Sequence, residues 1–233
     1  MKKYLTFAIL ISFLAAQVII CFPKLATAQT SILPEIEIGD TSQNQIILTF
    51  DSGGGSGDST QEILTALDRY GIKSTFFLTG EWVQKNQELT KQIAARGHKI
   101  HNHTFNHPYL TQISDQQIVD ELKTTDDLIF SLIGASTKPY FRTPYGDRDE
   151  RVLQTAANSG YQSVFWTTSA WDWKESEGIT AQQVENRILS SLKPGAIYLM
   201  HLNTNISGQI IEDVIQKILA RGYKIVSLEE GIK

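Results

Sequence analysis

The sequence predicts an α/β fold built from repeated strand–helix units, with seven mostly parallel strands gathered into one sheet or barrel. Three observations predict it. A helix end, a glycine and a strand start recur at Tyr70-Gly71-Ile72-Lys73, at Ala95-Arg96-Gly97-His98-Lys99-Ile100 and at Ala220-Arg221-Gly222-Tyr223-Lys224-Ile225. Short apolar runs such as QIILTF (45–50) and STFFL (74–78) read as strands, the first buried on both faces. Capping boxes at 59–62 and 114–117 open helices. Repeats of helix, glycine and strand bring successive strands parallel to one another.

Residues 1–28 read as a secretory signal peptide. Lys2 and Lys3 precede an apolar run to about Pro23, and Ala26-Thr27-Ala28 offers a small-x-small cleavage site. The run is also long enough to serve as an uncleaved anchor; cleavage after Ala28 is the expectation, with no stable membrane insertion afterwards and an exported product, periplasmic or extracellular. Cys21 is the only cysteine, so the mature chain is held by its core alone. Residues 29–43 read as a polar linker and 44–233 as a single domain.

Within that domain the first strand covers 45–50 and a helix follows from 59 to about Tyr70. The next strands start near 74 and 98. The box at 114–117 opens a helix with apolar residues at Ile118, Leu122, Ile129 and Ile133, closed by Gly134. Further strands are expected near 139, 162, 196 and 224.

Cleavage removes three lysines and no acid, so the formal charge of −4 becomes −7. Such a balance argues against nucleic acid and anionic membrane as partners. A monomer is expected.

Active sites of βα folds form at the carboxyl ends of strands, and chemically capable residues collect there. Asp51 follows the first strand, His103 and His107 the third, Arg142 to Tyr145 the fourth, Trp171-Asp172-Trp173 the fifth and His201 the sixth. Four of five histidines fall within ten residues, at 98, 101, 103 and 107, which suggests a metal-assisted hydrolytic site.

These residues carry a resemblance. Leu48-Thr49-Phe50-Asp51, His103-Thr104-Phe105-Asn106-His107, Phe141-Arg142-Thr143-Pro144-Tyr145-Gly146, Trp166 with Asp172-Trp173-Lys174, and Leu199-Met200-His201 are similar, in order, to the five motifs of the NodB-type polysaccharide deacetylases. The resemblance implies a distorted (β/α)₇ barrel and removal of N-acetyl groups from a glycan such as peptidoglycan or chitin. It implies Asp51 as catalytic base, His201 as catalytic acid, Arg142 holding Asp51 ionised, and Asp172 either tuning His201 or pinning Arg142. It further implies the Tyr145 N–H as oxyanion donor, Trp173 and Leu199 as an apolar wall for the acetyl group, and His103 and His107 as ligands of a divalent metal. Zinc is the default ion, with cobalt or manganese as alternatives. Trp171 reads equally as core or site; His98 and His101 lie outside the motifs and are expected to pack.

Two positions depart from the family pattern. Ser52 stands where a second Asp binds the metal, and Ser169 stands where another acid often precedes Asp172. A serine hydroxyl is a poor zinc ligand. Asp58 is the candidate replacement, its alternative being a residue placed ahead of a helix N-terminus. Three rival activities stay open: an O-acetyl esterase, a catalytically impaired glycan-binding homologue, and a metal-independent deacylase of small amides.

Overall fold

The computed structural model describes residues 33–53 and 57–233; the expected signal peptide and the three residues 54–56 lie outside them. Among the described residues there are eight parallel strands: β1 (Gln45–Asp51), β2 (Thr75–Leu78), β3 (Lys99–Asn102), β4 (Tyr140–Phe141), β5 (Gln162–Ser163), β6 (Thr168–Ser169), β7 (Ile197–His201) and β8 (Lys224–Val226). Seven match the expected starts. The additional one, β6, is two polar residues at the sheet edge, too short for any hydrophobic pattern to announce. The helices are α1 (Thr60–Arg69), α2 (Gly80–Lys85), α3 (Gln87–Ala95), α4 (Asp115–Ile133), α5 (Glu150–Asn158), α6 (Ala181–Ser190), α7 (Asn205–Ala220) and α8 (Leu228–Gly231).

The strand order is β5-β4-β3-β2-β1-β7-β6, with β8 paired to the first half of β1. The sheet curls but does not close on itself, which makes it a half-barrel within the α/β class. A stretch of the expected linker lies in the gap between its edges. Ile36 bridges Val164 and Ile38 bridges Ala196, and Glu35 accepts from Arg148 at 2.6 Å and from Ser163 at 2.6 Å. From Glu35 to Asp40, therefore, this segment packs as part of the domain, because its alternating apolar residues find unpaired backbone at the two edges.

Alternation along the strands sorts the side chains. Ile46, Leu48 and Phe50 of β1 pack outward against the helices with Phe76 and Tyr198. Ile47, Phe77, Val164, Ile197, Val226 and Leu228 fill the barrel interior. On β1, the two inward positions after Ile47 are Thr49 and Asp51. The interior thus runs from an apolar floor, stoppered by α8, to a polar top where the site lies.

Local rules hold the helices in place. Ser114 and Gln117 form the capping box of α4, and Gly134 ends it in the left-handed conformation at φ 69°. At α1 the expected box is absent: Ser59 caps nothing there, and its hydroxyl instead joins Thr204 O and the Gly208 N–H on α7.

Candidate active site

Asp51 ends β1 with 2% of its surface exposed. Arg142, following β4, reaches it from the barrel centre, where burial is complete. Its Nη1 donates to Asp51 Oδ1 at 2.6 Å and to Thr49 Oγ1 at 2.9 Å. Its Nε and Nη2 donate to Val164 O at 3.1 Å and Phe165 O at 3.0 Å, and its guanidinium lies 4.2 Å from the Phe77 ring centre. Four acceptors and a ring face leave it one orientation. Burial pushes the Asp51 carboxyl up, while Arg142 and His201 draw it back down, and the net direction is up. A carboxylate raised in this way is a better proton acceptor than one in water.

His103 follows β3, and its Nδ1 donates to Arg142 O at 2.9 Å. Because a carbonyl only accepts, Nδ1 carries the proton, and in the neutral ring Nε2 is a free lone pair. That Nε2 lies 3.5 Å from Asp51 Oδ2. Four residues on, the His107 ring centre is 4.9 Å from that of His103. Burial lowers both imidazoles to about 3, so both stay neutral. The turn between them is tied down by Glu121 of α4, whose carboxylate takes the N–H groups of Phe105 and Asn106 at 2.7 and 2.8 Å and the Asn106 amide at 2.7 Å.

His201 ends β7, in register with Asp51. Its Nδ1 donates to Asp172 Oδ1 at 2.9 Å and its backbone N–H to Oδ2 at 2.6 Å. Burial opposes charge on His201, but the adjacent Asp172 carboxylate outweighs it and the pKa is raised. Asp172 therefore serves His201, and the Arg142 donors described above go elsewhere. Sequence reasoning left those alternatives open because only the path of the 3₁₀ segment Asp172–Glu177 decides between them.

Of these groups, Asp51, His103 and His107 open onto a cavity of ≈ 540 Å³ whose other lining residues are Thr143, Tyr145, Trp166, Ser169, Trp171, Trp173 and Leu199. Trp171, read as core or site, lies on its wall. Tyr109, which sequence reasoning passed over, stacks on Tyr145 with ring centres 4.1 Å apart. Tyr109, Tyr145, Trp171 and Trp173 are each about half exposed, a concentration of aromatic surface suited to sugar rings. Among the described residues, the four non-glycine positions at positive φ, Thr104, His107, Tyr145 and Trp171, lie in this wall or its turns. Such backbone costs roughly 1–3 kcal/mol per residue and clusters where geometry serves function.

Asp58 is not brought here. It is exposed, its Oδ1 takes the Thr60 N–H at 2.9 Å at the start of α1, and it lines a separate cavity with Glu62 and Asn205. The expectation that it replaces the missing ligand is corrected: its carboxylate is spent on the helix end, as the dipole favours. Ser52 is likewise committed. Its hydroxyl accepts the Thr79 N–H at 2.8 Å and shares a 3.3 Å hydrogen bond with Thr79 Oγ1. Two neutral histidines suit a metal ion, but no set of three acidic, histidine or cysteine ligands gathers around one point among the described residues. The donors present do not fit a resident catalytic zinc held by three protein ligands. His98 and His101 lie outside the cavity. His98 accepts from Ser74 N, and His101 bridges Thr137 O and Glu229.

A family profile described as polysaccharide deacetylase matches residues 38–164. The chain is 33% identical over 193 residues to the peptidoglycan-N-acetylmuramic acid deacetylase PdaA of Bacillus subtilis, covering 83% of this chain and 73% of that one. The solved structure of PdaA, a family 4 carbohydrate esterase, matches with a TM-score of 0.79 at 32% identity over 84% of each chain. A peptidoglycan-N-acetylglucosamine deacetylase of Bacillus cereus is 30% identical over 194 residues, covering 82% and 69%. BA3943 of Bacillus anthracis, described as a CE4 family pseudoenzyme, matches with a TM-score of 0.79 at 26% identity over 86% of this chain and 69% of that one. With a profile spanning more than half of its length and a relative one third identical across most of it, the chain belongs to the polysaccharide deacetylase family.

Proposed function

We propose that this protein hydrolyses the N-acetyl groups of an envelope glycan of the peptidoglycan or chitin type. One observation carries the reading: Asp51 and His201 stand in register on neighbouring strands, each held by an ion-pair partner, Arg142 and Asp172, and Asp51 opens onto an aromatic cavity. Two titratable groups pushed towards opposite tasks are what amide hydrolysis needs. Asp51 takes the proton of the attacking water. Arg142 keeps that carboxylate charged and aimed. The oxyanion is received by the Tyr145 N–H, on a backbone held at φ 58°. His201, held protonated by Asp172, gives its proton to the departing amine. The relatives described as muramic acid and glucosamine deacetylases support the substrate class.

The family is generally metal-dependent, and His103 and His107 supply two of the donors such an ion needs. With Ser52 and Asp58 committed elsewhere, no step here is assigned to an ion. That shortage favours a second reading, a homologue that binds glycan without turning it over, and the likeness to a pseudoenzyme fits it. The first reading is preferred because base, acid and both of their partners are present. The apolar run before Ala28 supports export to the envelope where such glycans lie.

The test is acetate release from peptidoglycan and from N-acetylglucosamine oligomers. Replacing Asp51→Asn removes the base and is expected to lower turnover on the order of 10²–10⁴-fold, with the fold retained by circular dichroism. Substantial residual turnover would remove Asp51 from the role.

A further inference from the structure

Ser207 lies in the first turn of α7 and is fully buried. Its hydroxyl donates to Asp172 Oδ2 at 2.6 Å. The same carboxylate takes the His201 backbone N–H on Oδ2 and the His201 ring on Oδ1. It thus has three donors, two of them from the residue it serves. Ser207 is the third and independent one.

We propose that Ser207 is a positioning residue that locks the Asp172 carboxylate in the rotation presenting Oδ1 to His201 Nδ1 and shares its negative charge. Its catalytic consequence rests on the deacetylase reading; its geometry does not.

The surroundings argue for a fixture rather than a chance contact. Three residues past Asp172, Glu175 takes the Asn205 N–H at 2.9 Å and the Thr204 hydroxyl at 3.1 Å. Thr204 Oγ1 also reaches Asp172 O at 3.3 Å. Carboxylates at both 172 and 175 therefore grip the first turn of α7, whose N-terminal dipole end favours negative charge. Helix formation asks for no hydroxyl at Ser207, since alanine has the better propensity. The hydroxyl goes instead to a carboxylate one bond removed from the proposed acid. A donor to a carboxylate makes a strong, charge-assisted bond and lowers the basicity of its acceptor.

The experiment follows the His201 ring by NMR titration, beside the pH profile of acetate release, in Ser207→Ala, Asp172→Asn and the double variant. In Ser207→Ala, Asp172 keeps more of its charge, so the His201 midpoint is expected to rise by about half a unit, roughly threefold in proton affinity. A fall of several-fold in kcat with KM unchanged is expected alongside. Adding Ser207→Ala to Asp172→Asn is expected to change nothing further, because the residue acts through that carboxylate. An unmoved midpoint, or an effect that adds in full to Asp172→Asn, would overturn the proposal. Should the alanine variant not fold, Ser207→Cys keeps a donor at the position, a weaker one on a somewhat larger atom, and is expected to shift the midpoint the same way; no shift would overturn it equally. The titration needs no substrate. An inactive wild type with a responsive His201 would contradict the deacetylase reading while upholding the role of Ser207.

Discussion

On the proposed reading, Asp51 and His201 are neighbours with opposite duties, and the residues beneath them keep those duties apart. The raised Asp51 carboxyl and the raised His201 imidazole are then expected to give activity two limits. It falls at low pH as Asp51 takes a proton, and at high pH as His201 loses one. Asp172 raises His201, so Asp172→Asn is expected to move the alkaline limb of kcat to lower pH; an unmoved limb would separate Asp172 from the acid. At the histidine pair, Ser52→Asp returns a carboxylate and is expected to tighten zinc binding by about tenfold or more, read by calorimetric titration. Asp58→Asn is expected to leave zinc affinity unchanged, since Asp58 serves α1 and asparagine caps comparably. Roles at this scale were legible where a motif carried them. The placement of Asp58 was not, because the six residues between it and Asp51 allow it to lie on either side of the loop.

Among the elements, α4 does more than cover the sheet. Its Glu121 holds the turn that places His107, and α4 is itself started by the Ser114 box. Glu121→Ala would leave two turn N–H groups without their acceptor and let the strained turn relax. A tenfold or greater loss of kcat/KM is expected, with the thermal midpoint lowered only modestly; full activity would detach the turn from function. Nothing in the local sequence marks Glu121, an acidic residue on a polar helix face whose partners lie fifteen and sixteen residues away. Helices with apolar periodicity, such as α4, and strands with long β-branched runs, such as β1, were legible. The two-residue strands β4, β5 and β6 carry too few side chains to show a period, and β6, Thr168–Ser169, has no apolar residue to mark it. Ser59 misled because its hydroxyl had a tertiary use stronger than its local one.

Across the whole molecule, burial of imidazoles sets the response to acid. His98 is lowered to about 4, and His103 and His107 to about 3, against about 6.5 in an unfolded chain. Above pH 6.5 both states are unprotonated at these rings and they contribute no pH dependence. Between about 6.5 and 4 the unfolded chain takes up protons that the folded one refuses. Metal-free stability is therefore expected to fall as pH drops through that window, by up to about 1.4 kcal/mol per unit for each ring. Urea unfolding in a chelator at pH 7 and pH 5 checks this, and equal midpoints would contradict the buried neutral rings. The seven-strand α/β plan was readable because glycine caps and strand runs repeat along the chain. The open edge of the half-barrel was not readable, since the segment from Glu35 to Asp40 that lies in it looks in sequence like a polar lead-in. The central claim, a working base–acid pair in this cavity, is met most directly by acetate release from N-acetylated glycan by the wild-type protein, with and without added zinc. Release that is lost in Asp51→Asn is the predicted result. No release from the folded wild type under either condition, with tight glycan binding retained, would contradict it and leave a binding protein.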